Sequence, residues 1–238
     1  MLANPSWVVR TARLTLVPVR GADLSDLQAL KADPRVFAVM LGGVRTRAQT
    51  QAELAADIAF WGARGFGIWA VRDASPARTF LGITGFMDRP DGRGIALRFA
   101  LWPEAQGQGL AREAAGAALR FGHEQAGLRR IVAVARASNI ASRTVLGAIG
   151  MTERESFMRG GHWMILYESV SVTALSPRPP PARGGEKNSF PSPYGKGQGR
   201  SELGGDKSLK EAYALLACRC MASISACTLS LCCTMNDA

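Results

Sequence analysis

From Ile95 to Leu101 the chain alternates with period two, with Ile95, Leu97, Phe99 and Leu101 on one face and Ala96, Arg98 and Ala100 on the other. That alternation predicts a strand. Further strands are read at Leu14 to Val19, Phe66 to Val71, Thr79 to Met87, Ile131 to Ala135, Thr152 to Phe157 and His162 to Tyr167. Turn-rich segments separate them: Arg72 to Pro76 carries Asp-Ala-Ser-Pro, Asp88 to Arg93 carries Pro-Asp-Gly, and Arg159-Gly160-Gly161 closes the last hairpin. Helical spacing recurs at Leu24, Leu27 and Leu30 behind Asp23, limited by Pro34, and at Leu54, Ile58 and Trp61, where Thr50 to Glu53 reads as a capping box. A long helix fills the stretch between Gly109 and Gly127, and residues 1–12 read as a flexible lead-in. A strand, crossover helix and strand places the two strands parallel in one sheet.

The turn entering the long helix is Gln106-Gly107-Gln108-Gly109-Leu110-Ala111. Two glycines let the backbone approach a bulky ligand, and the first-turn N–H groups with the helix dipole suit an anion such as pyrophosphate. Simple turn chemistry accounts for the same glycines. A dinucleotide fingerprint is excluded, because Arg112 stands where a third glycine or alanine is needed and the strand from Ile131 to Ala135 carries no acid.

The order of parts is more specific. A strand leading into Trp102-Pro103, the Gln-x-x-Gly-x-Ala turn, a long helix, a strand, an Asn139-x-x-Ser142 helix start and a Gly150-Met151 exit resemble the GNAT superfamily of acetyl-CoA-dependent N-acetyltransferases. Arg13-Leu14-Thr15-Leu16-Val17-Pro18 and Gly65-Phe66-Gly67-Ile68-Trp69-Ala70-Val71 are similar to its RimJ/RimL branch, which modifies ribosomal-protein N-termini. The resemblance spans about residues 10–170. It implies an α+β fold: a mostly antiparallel twisted sheet of six to seven strands, one parallel pair at the cofactor site, and helices on both faces.

The resemblance also implies a mechanism and its residues. Acetyl-CoA is the acyl donor, and a primary amine, a protein N-terminus or small-molecule amine, attacks it directly in a ternary complex. The pantetheine arm would bond main-chain groups of Phe99, Ala100 and Leu101. The pyrophosphate would sit at Gln106, Gly107, Gln108, Gly109, Leu110, Ala111 and Arg112. Asn139 would hold the arm, and Ser142 would be both a cofactor contact and the acid for the leaving thiolate; its other reading is a first-turn cap. No base is evident, since the strand positions where relatives often hold glutamate are Ala96 and Val134. Water relaying a proton to Glu104, His162 or Tyr167, or an amine arriving neutral, are the alternatives, and the loops near residues 37–47 and 157–163 would choose the acceptor.

Composition divides the chain. Residues 1–175 hold 20 Arg, one Lys and no Cys, whereas residues 176–238 hold four Lys, all five Cys and half of the twelve Pro. The expected organisation is a domain over 13–175 and a low-complexity, disordered tail over 176–238, foreign to the domain in its Lys and Cys usage. Of the net charge of +10, the first 175 residues carry +7. Basic residues are scattered without a run or interleaved aromatics, so nucleic acid is not an expected partner. No membrane partner or secretory leader is read, the default compartment is the cytoplasm, and a homodimer is compatible.

Remaining polar residues carry paired readings. Arg112 pairs with a phosphate or lies on a solvated helix face; Arg143 reaches a 3′-phosphate or serves structure; Trp61 is core or a wall of the acceptor site. His123 is placed on an exposed face, and two His without Cys in the domain give no metal site. Two other functions compete with the transferase: a non-catalytic acyl-CoA-binding module and a basic ribosome- or RNA-binding protein.

Overall fold

Strand β5 keeps the predicted alternation in the computed structural model, which describes residues 4–171. Leu97 and Leu101 enter one hydrophobic cluster, while Ala100 enters a second and Ala96 a third. The chain runs β1 (Val9–Arg10), β2 (Leu14–Pro18), α1 (Leu24–Ala32), α2 (Pro34–Phe37), α3 (Arg47–Arg64), β3 (Ile68–Asp73), β4 (Phe80–Asp88) and β5 (Ile95–Leu101). It continues through α4 (Leu110–Glu124), β6 (Arg130–Arg136), α5 (Ile140–Ala148), β7 (Thr152–Arg159) and β8 (His162–Val170). The expectations for 176–238 lie outside the described residues.

One eight-stranded sheet is formed in the order β1-β2-β3-β4-β5-β6-β8-β7. All neighbours are antiparallel except β5 and β6. The mixed sheet agrees with the expected class, and the strand beyond the expected six to seven is β1. Residues 4–12 are therefore not the loose lead-in expected. Val9 and Arg10 pair with Leu16 and Thr15, Trp7 packs on Trp61 at 5.1 Å between ring centres, and the Trp7 carbonyl accepts from Trp69 Nε1 at 2.7 Å. Burying an indole and satisfying another's N–H ties the segment down.

Side chains alternate across β3: Trp69 and Val71 join α4 residues Ala114, Ala118 and Phe121, while Ile68 and Ala70 join Leu27, Leu30 and Phe37 of α1 and α2. Trp61 is core, 3% exposed, with Nε1 donating to the Ile68 carbonyl at 2.8 Å.

Helix α3 begins earlier than read. Its N-cap is Thr46, which forms a capping box with Gln49; Thr50 lies inside the helix, fully buried, with a hydroxyl that has no partner. Glu53 is unavailable to a box at Thr50 because it accepts from Lys31 Nζ at 2.7 Å and from Arg45 Nε. Asp23 likewise does not cap α1 with its side chain; it accepts from the Arg20 N–H at 2.9 Å and from Arg72 at 2.7 Å.

Candidate active site

Strands β5 and β6 are bridged at one register position, Ala96 with Val132, near the start of each. Beyond it the strands part, although β5 remains paired to β4 through Leu101 and β6 to β8 through Arg136. A cleft of about 640 Å³ is lined by Ala96 to Phe99 from β5, Ala133 to Arg136 from β6, then Asn139 and Ser142. Parted parallel strands offer unpaired main-chain donors and acceptors to an extended ligand.

At the C-terminal end of β5 the chain turns into α4. Gly107 and Gly109 have φ of +74° and +75°, a left-handed backbone that favours glycine, and Gly109 is the N-cap. Among the described residues, the amide N–H groups of 107–112 have no hydrogen-bond acceptor. Side chains brace the turn from outside: Gln106 Nε2 donates to the Leu101 carbonyl and Gln108 Nε2 to the Glu104 carbonyl, both at 3.0 Å. Arg13 donates to the Gln108 carbonyl at 2.9 Å and, through Nε, to Glu113 at 2.7 Å. The result is a row of donors at a helix N-terminus, the arrangement that takes an anion. Arg112 lines a shallow groove beside Gly109 with Arg10, Arg13 and Arg120.

Across the cleft, Asn139 caps α5, accepting from the Ser142 N–H at 3.1 Å. Its amide NH₂ and the Ser142 hydroxyl have no partner among the described residues, and both residues line the cleft. Asn139, Ser142 and Phe99 thus share one cavity, with the turn of residues 106–112 following the end of β5.

Arg143 is occupied elsewhere. It donates to the Tyr167 hydroxyl at 3.2 Å, the Ala137 carbonyl at 3.1 Å and Glu153 at 3.2 Å. Tyr167 donates to Glu153 at 2.6 Å, and burial raises its phenol above the usual range, as does the Glu153 bond. Neither Tyr167 nor Glu104 lines the cleft; His162 does, as an exposed residue. His123 is half-buried rather than exposed: its ring bridges the Leu128 carbonyl at 2.7 Å and Ser169 Oγ at 2.9 Å, because Gly127 turns the chain back over it. Among the described residues no cluster of His, Cys, Asp or Glu could hold a metal ion.

The same cleft holds a charged group that sequence reasoning missed. Asp57 of α3 and Arg98 of β5 both line it, with Arg45 and Glu53 beside them. Lys31, 2% exposed, is bonded to Glu53. Burial pushes the Asp57 carboxyl up to about 6, against the pull of Lys31 and Arg98. Burial also lowers the Arg98 guanidinium from its usual range; its Nε has no partner and Nη1 reaches only Met87 Sδ, at 3.6 Å. The mouth is strapped by Asp91, which accepts from Arg89 at 2.6 Å and pairs with Arg159 at 3.4 Å, linking the β4–β5 and β7–β8 turns. The Arg89 bonds hold the Asp91 carboxyl down at about 2.

Solved structures of similar fold include an acetyltransferase from Agrobacterium tumefaciens, 26% identical, with 68% of this chain and 93% of that one covered at a TM-score of 0.60. RimL, a ribosomal L7/L12 alpha-N-protein acetyltransferase solved with coenzyme A, is 18% identical over 69% of this chain and 98% of its own, at a TM-score of 0.58. Spermidine N-acetyltransferase from Vibrio cholerae, solved with CoA and spermine, is 17% identical over 70% and 100%, also at 0.58. At the last two identities the likeness is one of fold. Residues 13–152 match the family model for the acetyltransferase (GNAT) domain. The chain belongs to the GNAT acetyltransferase family, acyltransferases that use acetyl-CoA.

Proposed function

We propose that residues 13–175 form an acetyltransferase domain of the RimJ/RimL type that moves the acetyl group of acetyl-CoA onto a primary amine, a protein N-terminus or small-molecule amine, in a ternary complex. The observation that carries this reading is the run of unaccepted amides at 107–112 beside a cleft opened by the parting of β5 and β6. Such donors suit a pyrophosphate, and around Gly107 nothing lies within 4 Å of where a Cβ would stand, so a bulky anion can approach. These features fit acetyl-CoA: main-chain groups of Phe99, Ala100 and Leu101 would take the pantetheine arm as an added strand, Asn139 would hold it, and Gln106 to Arg112 would hold the pyrophosphate.

Bound acetyl-CoA supplies an activated thioester carbonyl and a thiolate leaving group. The Ser142 hydroxyl, without a partner in the cleft wall, is the group to deliver a proton to the departing sulfur. The Asn139 cap fixes the first turn of α5 and with it the Ser142 backbone. Absence of a helix long and apolar enough to cross a membrane among the described residues is compatible with a cytoplasmic enzyme.

Thiol release from acetyl-CoA with a panel of amines tests this. Ser142→Ala is expected to lower kcat by roughly 10²-fold, far more than it weakens acetyl-CoA binding. An unaltered kcat would remove Ser142 from the role, and acetyl-CoA binding without thiol release for any amine would leave a non-catalytic acyl-CoA-binding module.

A further inference from the structure

Asp57 is a carboxylate without a counterpart. It lies one helical turn after Glu53 on α3, a like-charged i, i+4 pair that an isolated helix disfavours. Glu53 takes both nearby committed cations, Lys31 from α1 and Arg45 from the loop before α3. Arg98 faces the pair from β5. Asp57 feels Lys31 and Arg98 through space but makes no hydrogen bond or ion pair among the described residues. Arg98 in turn has a buried Nε with nothing to donate to. An acid and a base of opposite charge therefore line one cavity without closing on each other. Both side chains are half-buried in the cleft wall, so a ligand there can reach each, and a ligand carrying both charges would supply the partners that the chain does not.

Resting on the acetyl-transfer reading, we propose that Asp57 and Arg98 form the acceptor site, Asp57 receiving the ammonium of an α-amine and removing its proton, Arg98 donating to the carbonyl or carboxylate oxygen next to it. The two groups of an N-terminus or amino acid, ammonium and neighbouring C=O, match the two unpaired side chains in charge. Protons balance. Of the three on the ammonium, one goes to the Asp57 carboxylate before the C–N bond forms. One is delivered to sulfur as the C–S bond breaks, and one stays on the amide nitrogen. Asp57 then returns its proton to water.

A carboxyl raised to about 6 is a poor base for an alkyl amine near 10.4, a mismatch of about 10⁴, but only about 10² for an α-amine near 8. The site thus discriminates among amines by acidity as well as shape. It also supplies the base that the apolar Ala96 and Val134 do not.

The experiment measures turnover of acetyl-CoA by the full chain with alanyl-alanine and with n-butylamine, for the parent, Asp57→Asn, Asp57→Glu and Arg98→Met, alongside acetyl-CoA affinity by calorimetry. The parent is expected to prefer the dipeptide at least 30-fold in kcat/KM, with kcat falling below a pH near 6. Asp57→Asn should lose at least 100-fold in kcat and the acid limb, with acetyl-CoA affinity held within twofold. Asp57→Glu should recover part of the rate, and Arg98→Met should lower the preference at least threefold without abolishing it, since the lower basicity of the α-amine still counts. Parent turnover without preference, or Asp57→Asn at the parent's rate and pH profile, would overturn the site while leaving acetyl transfer intact. Acetyl-CoA binding without turnover of either amine would overturn the site, and binding without thiol release for any amine of the panel would overturn acetyl transfer as well. The preference and pH profile are read on the parent alone, so misfolded variants do not shield the proposal.

Discussion

Arg13 Nε donates to Glu113 Oε2 at 2.7 Å while its Nη1 donates to the Gln108 carbonyl at 2.9 Å, so one guanidinium from the start of β2 joins the first turn of α4 to the glycine turn before it. Glu113 also accepts from the Thr11 hydroxyl at 2.6 Å and the Arg13 N–H at 3.0 Å. The sheet's first long strand thereby sets the shape of the anion cradle.

Replacing Glu113 by Gln should weaken acetyl-CoA binding by about fivefold and stability by about 1–3 kcal/mol, since a charge-assisted acceptor of three donors becomes a neutral one. Burial pushes this carboxyl up, but the Thr11 and Arg13 bonds outweigh it and hold it below 4.5. Its contribution is therefore present above pH about 4.5 and lost as pH falls through the lower folded value. Melting temperature followed from pH 6 downward should fall less steeply in Glu113→Gln than in the parent.

Asp57→Asn should stabilise the fold while harming turnover. Its carboxyl, raised to about 6 from 3.8, binds a proton more readily folded than unfolded, so stability falls as pH rises between those values and stays lower above them. Removing the half-buried charge should gain roughly 1–3 kcal/mol at pH 7. Chemical denaturation at pH 7 and pH 4 checks this: the gain should shrink at the lower pH.

Tyr167→Phe separates scaffold from chemistry. The hydroxyl bonds Glu153 and Arg143 outside the cleft, so its loss should cost about 1–2 kcal/mol in stability with kcat changed less than about threefold. A kcat loss of tenfold or more at unchanged stability would place the phenol in the reaction.

Much of the fold was legible because strands such as Ile95–Leu101 send alternate residues to opposite faces and glycines mark their ends. The cradle was legible for a related reason: Gly107 and Gly109 hold a backbone that other residues avoid. What escaped depends on contacts distant in sequence. Thr46 and Thr50 each begin a run with the capping pattern, and it is the bonds of Glu53 to Lys31, 22 residues away, and to Arg45 that leave the box to Thr46. His123 reads as exposed until Ser169 comes beside it. Asp57 resembles any solvated helix carboxylate until the fold brings the charges of Lys31 and Arg98 near it; the sole local hint is the like charge of Glu53 four residues before. Trp7 likewise needs Trp61 and Trp69 to become part of the core.

Calorimetric titration of the full chain with acetyl-CoA, beside Gly109→Asp, shows whether the cofactor binds on the glycine turn. That substitution sets a side chain and a negative charge at the left-handed N-cap of α4, within the run of unpaired amides at 107–112. Micromolar binding by the parent, weakened at least 30-fold in a variant that melts as a folded protein, is the predicted result. Equal affinity in both proteins, or no binding by the folded parent, would contradict the placement of the cofactor on this turn.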